Sequence, residues 1–161
     1  MSRIYAVPYT GTIANAGGDS DLLEILPADD KPCTLLGWSI GQTSEVGDAA
    51  EEGLRVSVIR LPATVTGGSG GSAVTPAKTN STDAAAGFAA ECNNTTVATT
   101  SGSAEIFGEH AWNERGSPWD FFYPDKRYAP QAKQGEAIVV RMQTTPADDL
   151  TGAVTFWVEE E

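Results

Sequence analysis

The chain has 161 residues, 40% of them hydrophobic, which suits one well-buried domain at roughly 100–200 residues per domain. Ten Lys and Arg stand against 22 Asp and Glu, and the net charge of −12 argues against nucleic acid or an anionic membrane as partner. The longest apolar stretch, Ala84–Ala90, is far short of the ~20 residues of a membrane helix, and Met1-Ser2-Arg3 opens no secretory signal. A soluble protein made in the cytoplasm is expected.

Seventeen glycines and nine prolines separate short runs rich in Val, Ile, Thr and aromatics, which is strand punctuation. Ile4 and Ala6 share one face of a first strand, and Leu23 and Ile25 share a face within Leu22–Leu26. Pro27-Ala28-Asp29-Asp30 follows directly. The same tetrapeptide recurs at Pro146–Asp149, again between two apolar runs. Proline fixes φ and Asp can close an Asx-turn, so both copies are predicted to be strand-to-strand corners; no EF-hand spacing accompanies them. Within Cys33–Gly41 the predicted inward row is Leu36, Trp38 and Ile40. Leu54-Arg55-Val56-Ser57-Val58 alternates strictly, but Val58 and Ile59 break the phase, predicting a bulge or a strand buried on both sides.

The tract Pro62–Asp83 holds almost no large apolar side chains, and its core Gly67-Gly68-Ser69-Gly70-Gly71-Ser72 is expected to be a flexible surface loop or arm. It matches no phosphate-binding motif. Weaker strands are predicted at Phe88–Val97, Ala104–Ala111 and Phe121–Tyr123, and strongly alternating ones at Ile138–Met142 and Val154–Val158. Glu159-Glu160-Glu161 reads as a solubilising tail that guards a sheet edge. Eight or nine short strands with long loops give an all-β chain, an antiparallel β-sandwich of jelly-roll type, as one domain over residues 1–161.

Cys33 and Cys92 are the only cysteines and show no CxxC spacing, so they read as buried free thiols. His110 is the only histidine; without a second one or a nucleophile elbow it is placed as a strand-end or surface residue, and no metal or cofactor is expected. Glu105, Glu109, Glu114 and Asp120 lie close in sequence to Trp112, Trp119, Phe121, Phe122 and Tyr123. That combination would suit a glycoside-hydrolase cleft or a carbohydrate platform, although aromatics in a small all-β domain more often fill the core or a subunit contact. Asn80-Ser81-Thr82 and Asn93-Asn94-Thr95-Thr96 are read as polar turns.

Pro27–Pro32, Leu35-Leu36-Gly37, and Gly41-Gln42-Thr43-Ser44-Glu45-Val46-Gly47-Asp48-Ala49-Ala50-Glu51-Glu52 leading into Leu54–Arg60 resemble small virion proteins of tailed bacteriophages. The resemblance continues through the Gly/Ser-rich Gly67–Pro76, Asp83–Glu91 and Asn93–Thr96. It implies a head decoration, or cement, protein: a jelly-roll-like sandwich on the outer surface of the capsid that bridges major capsid protein subunits, commonly as a homotrimer. No catalytic residue carries over. The charge of −12 agrees with a place away from packaged DNA. Glu45, Asp48 and Glu51 in Glu45–Gly53, Gly67 and Gly70 in the arm, and Trp112, Trp119, Phe121 and Tyr123 within Trp112–Tyr128 are the expected contact residues. The alternative is a carbohydrate- or receptor-binding sandwich on a phage tail or head fibre.

Overall fold

The computed structural model describes residues 2–15, 17–44, 52–116 and 118–161. Nine strands of four or more residues occur among them: β1 (Arg3–Ile13), β2 (Ser20–Leu26), β3 (Cys33–Gln42), β4 (Gly53–Leu61), β8 (Ala89–Cys92), β10 (Glu105–Asn113), β11 (Trp119–Phe122), β13 (Ala137–Met142) and β14 (Leu150–Glu160). Five two-residue strands complete the set: β5 (Val65–Thr66), β6 (Ser72–Ala73), β7 (Ala77–Lys78), β9 (Thr99–Thr100) and β12 (Gln131–Ala132). They form two six-stranded sheets and a separate two-stranded one, β5-β9. The front sheet runs β11-β3-β14-β1-β7 with β12 also on β3, and the back sheet runs β10-β4-β13-β2-β8-β6; all of their pairings are antiparallel.

The principal pairs follow a mirror order along the chain. β1 pairs β14, β2 pairs β13, β3 pairs β11 and β4 pairs β10, so successive pairs alternate between front and back sheet. Each Pro-Ala-Asp-Asp sits where the chain changes sheet, from β2 to β3 and from β13 to β14. The corners are as predicted, but their closure differs. Asp30 adopts φ 54° and Lys31 N–H donates to Ala28 O at 3.3 Å, whereas Asp149 accepts from the Asn15 backbone N–H at 2.8 Å. The second corner is thus tied to the β1–β2 loop.

Between the sheets lies the main core. Tyr5, Val7, Trp38, Ile40, Val56, Val58, Ile138, Val140, Phe156 and Val158 are all fully buried there. Two predicted phases are corrected, in β1 and β3, and the third, at Val58-Ile59, is as expected. In β1 the inward pair is Tyr5 and Val7, while Ile4 is 40% exposed; both phases are apolar, and the larger side chains go inside, with Tyr5 Oη donating to Ala84 O at 3.1 Å. In β3 the register against β14 skips one residue between Leu35 and Gly37, so Leu35 rather than Leu36 joins Trp38 and Ile40 in the core. At Val58-Ile59 the strand is buried on both sides, and the register irregularity falls in the partner β10, between Ile106 and Gly108.

Burial on the second side of β4 has a source. Ile59, Leu61, Ala98, Ala137 and Val139 form a separate small core on the outer face of the back sheet, with Leu26 and Val65 packed against it. The segment between β4 and β10 supplies its lid. The Gly/Ser-rich stretch lies at the surface as a loop strapped to the back sheet. Ser69 and Thr96 exchange backbone hydrogen bonds at 2.9 Å each, β6 pairs with β8, and Gly68 N–H donates to a Glu24 carboxylate oxygen at 2.8 Å.

The acidic end is corrected as well. β14 continues to Glu160 and is flanked by β1 and β3, so it has no free edge to guard. Glu160 is 2% exposed, lies 3.4 Å from Lys31 Nζ and accepts from Gly87 N–H, while Glu159 lies 3.0 Å from Lys126.

Candidate interaction surfaces

Of the expected contact residues, Glu45, Asp48 and Glu51 lie outside the described residues. Gly67 and Gly70 lie in the strap, where close approach requires glycine. A Cβ on Gly67 would stand 2.9 Å from a Glu24 carboxylate oxygen, and one on Gly70 2.3 Å from Thr95 Oγ1; Gly70 also holds φ +83°. Trp112 is 2% exposed and belongs to the main core, leaving it no surface to offer.

Trp119, Phe121 and Tyr123 are half-buried and turn toward Trp38. Phe121 stacks on Trp38 at 4.7 Å between centroids, and Trp119 and Tyr123 meet it edge-on at 5.1 and 6.1 Å. His110 is corrected from a strand-end or surface position. It sits within β10, 5.1 Å from the Trp119 ring and 5.6 Å from Trp38. β10 and β11 are the outer strands of the two sheets, so this aromatic cluster closes the gap between two neighbouring edges. Burial lowers the His110 pKa, with Glu109 opposing, and raises that of Tyr123 to about 12.

The carboxylates that suggested a hydrolytic cleft are dispersed. Glu105 pairs with Arg60, Glu109 accepts from Ser57 Oγ at 2.6 Å beside the outward row of the back sheet, and Asp120 lies opposite Ser39 on the outward row of the front sheet. Glu109 and Asp120 face away from each other across two sheets packed ~10 Å apart. Paired-carboxylate hydrolysis needs both groups on one cleft, at most about 9.5 Å apart.

Patterning of the sequence did not single out the two outer faces, which differ sharply. Under the strap, the outer face of the back sheet carries ionic and polar groups. Asp21, fully buried, accepts from Arg141 Nε at 2.6 Å and from Ala98 N–H at 2.7 Å. Glu24 and Glu91 stand directly opposite each other on β2 and β8, and one amide, Asn94 Nδ2, donates to both at 2.9 and 3.0 Å. Burial raises the Glu24 pKa, opposed by the Gly68 N–H and Asn94 hydrogen bonds.

Among the described residues, the front sheet's outer face has no such lid. Phe122, Gly37, Trp157 and Ala6 form one cross-strand row by register, and Asp120, Ser39, Thr155 and Pro8 form the next. Phe122 is 53% exposed and packs on Trp157 at 4.8 Å. Its ring occupies the space over Gly37, where an added Cβ would stand 2.3 Å from Phe121 O and 2.6 Å from Phe122 Cδ1. At one end of the face Lys126, in the turn Lys126–Tyr128 between β11 and β12, pairs with Glu159 and Glu161, and Tyr128 is 67% exposed.

Cys33 and Cys92 are buried free thiols, as expected, and burial raises both to about 12. Among the described residues no group of three or more His, Cys, Asp and Glu is arranged to hold a metal ion. No family model, curated protein or solved structure matches the chain.

Proposed function

We propose that the chain is a non-enzymatic capsid decoration protein of the tailed-phage type, bound to the outside of the head and stabilising contacts between major capsid protein subunits. The observation that carries this reading is the division of the surface. Cys33, Cys92, His110, Glu105 and Glu109 are engaged in internal contacts, whereas large apolar side chains stay open to contact both on the front sheet, at Phe122, and on the back-sheet edge strand β10, at Ile106 and Phe107. Such a body works through contact area, and many copies on one shell add their weak contacts through avidity. The mirror-order pairing of four strand pairs across two sheets supports the jelly-roll reading of the sandwich, with β8 and the strap as an insertion between β4 and β10.

The inward turn of Trp119, Phe121 and Tyr123 weighs against the carbohydrate-platform alternative, because a sugar-stacking ring needs an open face. The test is the copy number of the chain in purified virions, by quantitative peptide mass spectrometry against the major capsid protein. A near-stoichiometric ratio is expected. A few copies per particle would move the protein to a tail or fibre, and absence from the particle would overturn the reading.

A further inference from the structure

We propose that the outer face of the front sheet is the interface of a two-fold homodimer. Charge, size and shape on that face all point to a second copy of this chain.

The charge argument starts from a chain of −12. In such a chain, the outward positions of the two central strands carry a single ionisable side chain: β1 presents Ile4, Ala6, Pro8 and threonines, and β14 presents Thr151, Ala153, Thr155 and Trp157 before reaching Glu159. Glu159 is neutralised by Lys126 at 3.0 Å. On the flanking strands, Asp120 stands at the margin on the edge strand β11. Two acidic bodies can therefore meet here without placing like charges in contact, and their remaining charges are screened beyond ~8 Å at physiological salt.

The size is that of a stable interface. β1 and β14 are 11 residues each, β3 is 10 and β11 is 4. At ~3.4 Å per residue and ~4.8 Å between strands their outer face is on the order of 600 Å², the low end of the ~600–1,000 Å² per partner of a standard specific interface.

The shape is self-complementary. One half of the face is raised by Phe122 and Trp157, with the Lys126–Tyr128 turn at its end, and the other is lined by Ser39, Thr155, Ala153 and Thr10. A two-fold axis lying in the interface and perpendicular to the strands reverses strand direction. It sets the raised half of each copy on the flat half of the other, as isologous contacts require. The same operation brings Phe122 and Tyr128, two of the largest exposed apolar side chains, against the facing copy. This arrangement is a dimer, where the resemblance to decoration proteins implies a trimer.

Sedimentation equilibrium of the full chain at increasing concentration tests it, with Thr155→Arg and Ala153→Glu as variants whose folding is checked by circular dichroism. A dimer is expected in the wild type at concentrations up to ~100 μM. Each variant should weaken it by at least about tenfold, because an unpaired charge would be buried at the contact. Added salt should tighten the wild-type dimer, since it screens repulsion between two acidic bodies and the ion pairs on this face, Lys126 with Glu159 and Glu161, lie within each copy rather than between them. A monomer throughout, a trimer, a dimer indifferent to both variants, or a dimer that loosens with salt would each overturn the proposal. If the variants fail to fold, the wild-type mass and its salt dependence decide alone.

Discussion

The two outer faces of this sandwich show two ways of finishing a β-sheet. The back sheet folds its own chain over itself, and the covered layer contains buried ions: Asp21 with Arg141, and Glu24 opposite Glu91 beneath Gly68. A buried charge needs its partner in the same molecule, so that face is rigidly specified by residues 64–101. The front sheet instead keeps ions off its central rows and leaves aromatic and hydroxyl side chains open. Its cover is free to come from elsewhere.

The largest expected effect breaks the back face. Arg141→Ala leaves the carboxylate of Asp21 buried and without its guanidinium, and should cost about 3–5 kcal/mol in urea unfolding. Gly68→Ala comes next. Its Cβ would meet Thr96 O at 2.6 Å and a Glu24 carboxylate oxygen at 2.9 Å, so a loss of about 1–3 kcal/mol is expected, with faster amide exchange at Ser69 and Thr96. On the front face, Phe122→Ala removes a side chain that is 53% exposed and should cost the monomer less than about 1 kcal/mol. A comparable loss for Phe122→Ala and Arg141→Ala would erase the contrast between the faces.

A pH titration sharpens the contrast further. The Glu24 pKa in the folded chain is raised above 4.5, first by burial, so the native state binds that proton more tightly than the unfolded state. The resulting stability is fully present below the unfolded value and is lost as pH rises through the folded one. Wild type should therefore gain stability over Glu24→Gln as pH falls toward 4.5, as read by denaturant midpoints. The smallest effect is kinetic: thiols raised to about 12 should react with a disulfide reagent at pH 8 only after unfolding.

Much of this architecture was legible in the residues. Val154–Val158 alternates cleanly, and the doubled Pro-Ala-Asp-Asp marked both changes of sheet, whereas Ile138–Met142, expected to present one apolar row, is buried on both faces through Val139. The clash of Val58 with Ile59 announced a strand covered on both sides, although local pattern alone could not name Ala98 and Val65 as part of the cover. In β1 two apolar phases compete, and packing volume decided for Tyr5 and Val7. The bulge at Leu36 depends on the partner β14, which lies far along the chain. Local composition also misled at Glu159–Glu161 and could not show what holds Gly67–Gly71, because the carboxylate that holds the strap and the lysines that neutralise the acidic end come from distant segments. The candidate surface was harder to read than the fold. Trp112 and Trp119 differ in exposure only because one faces the core and the other lines an edge.

The pairing of Arg3 with Glu160 has a consequence for how this protein comes into being. All four mirror-ordered pairs join segments far apart in sequence, and β14 fills the slot between β1 and β3. During synthesis, the front sheet has no central strand until β14 emerges, and β1 and β3 wait with bare edges. High contact order makes such a chain slow to fold, and those waiting edges are where two nascent chains on one message would cross-pair first.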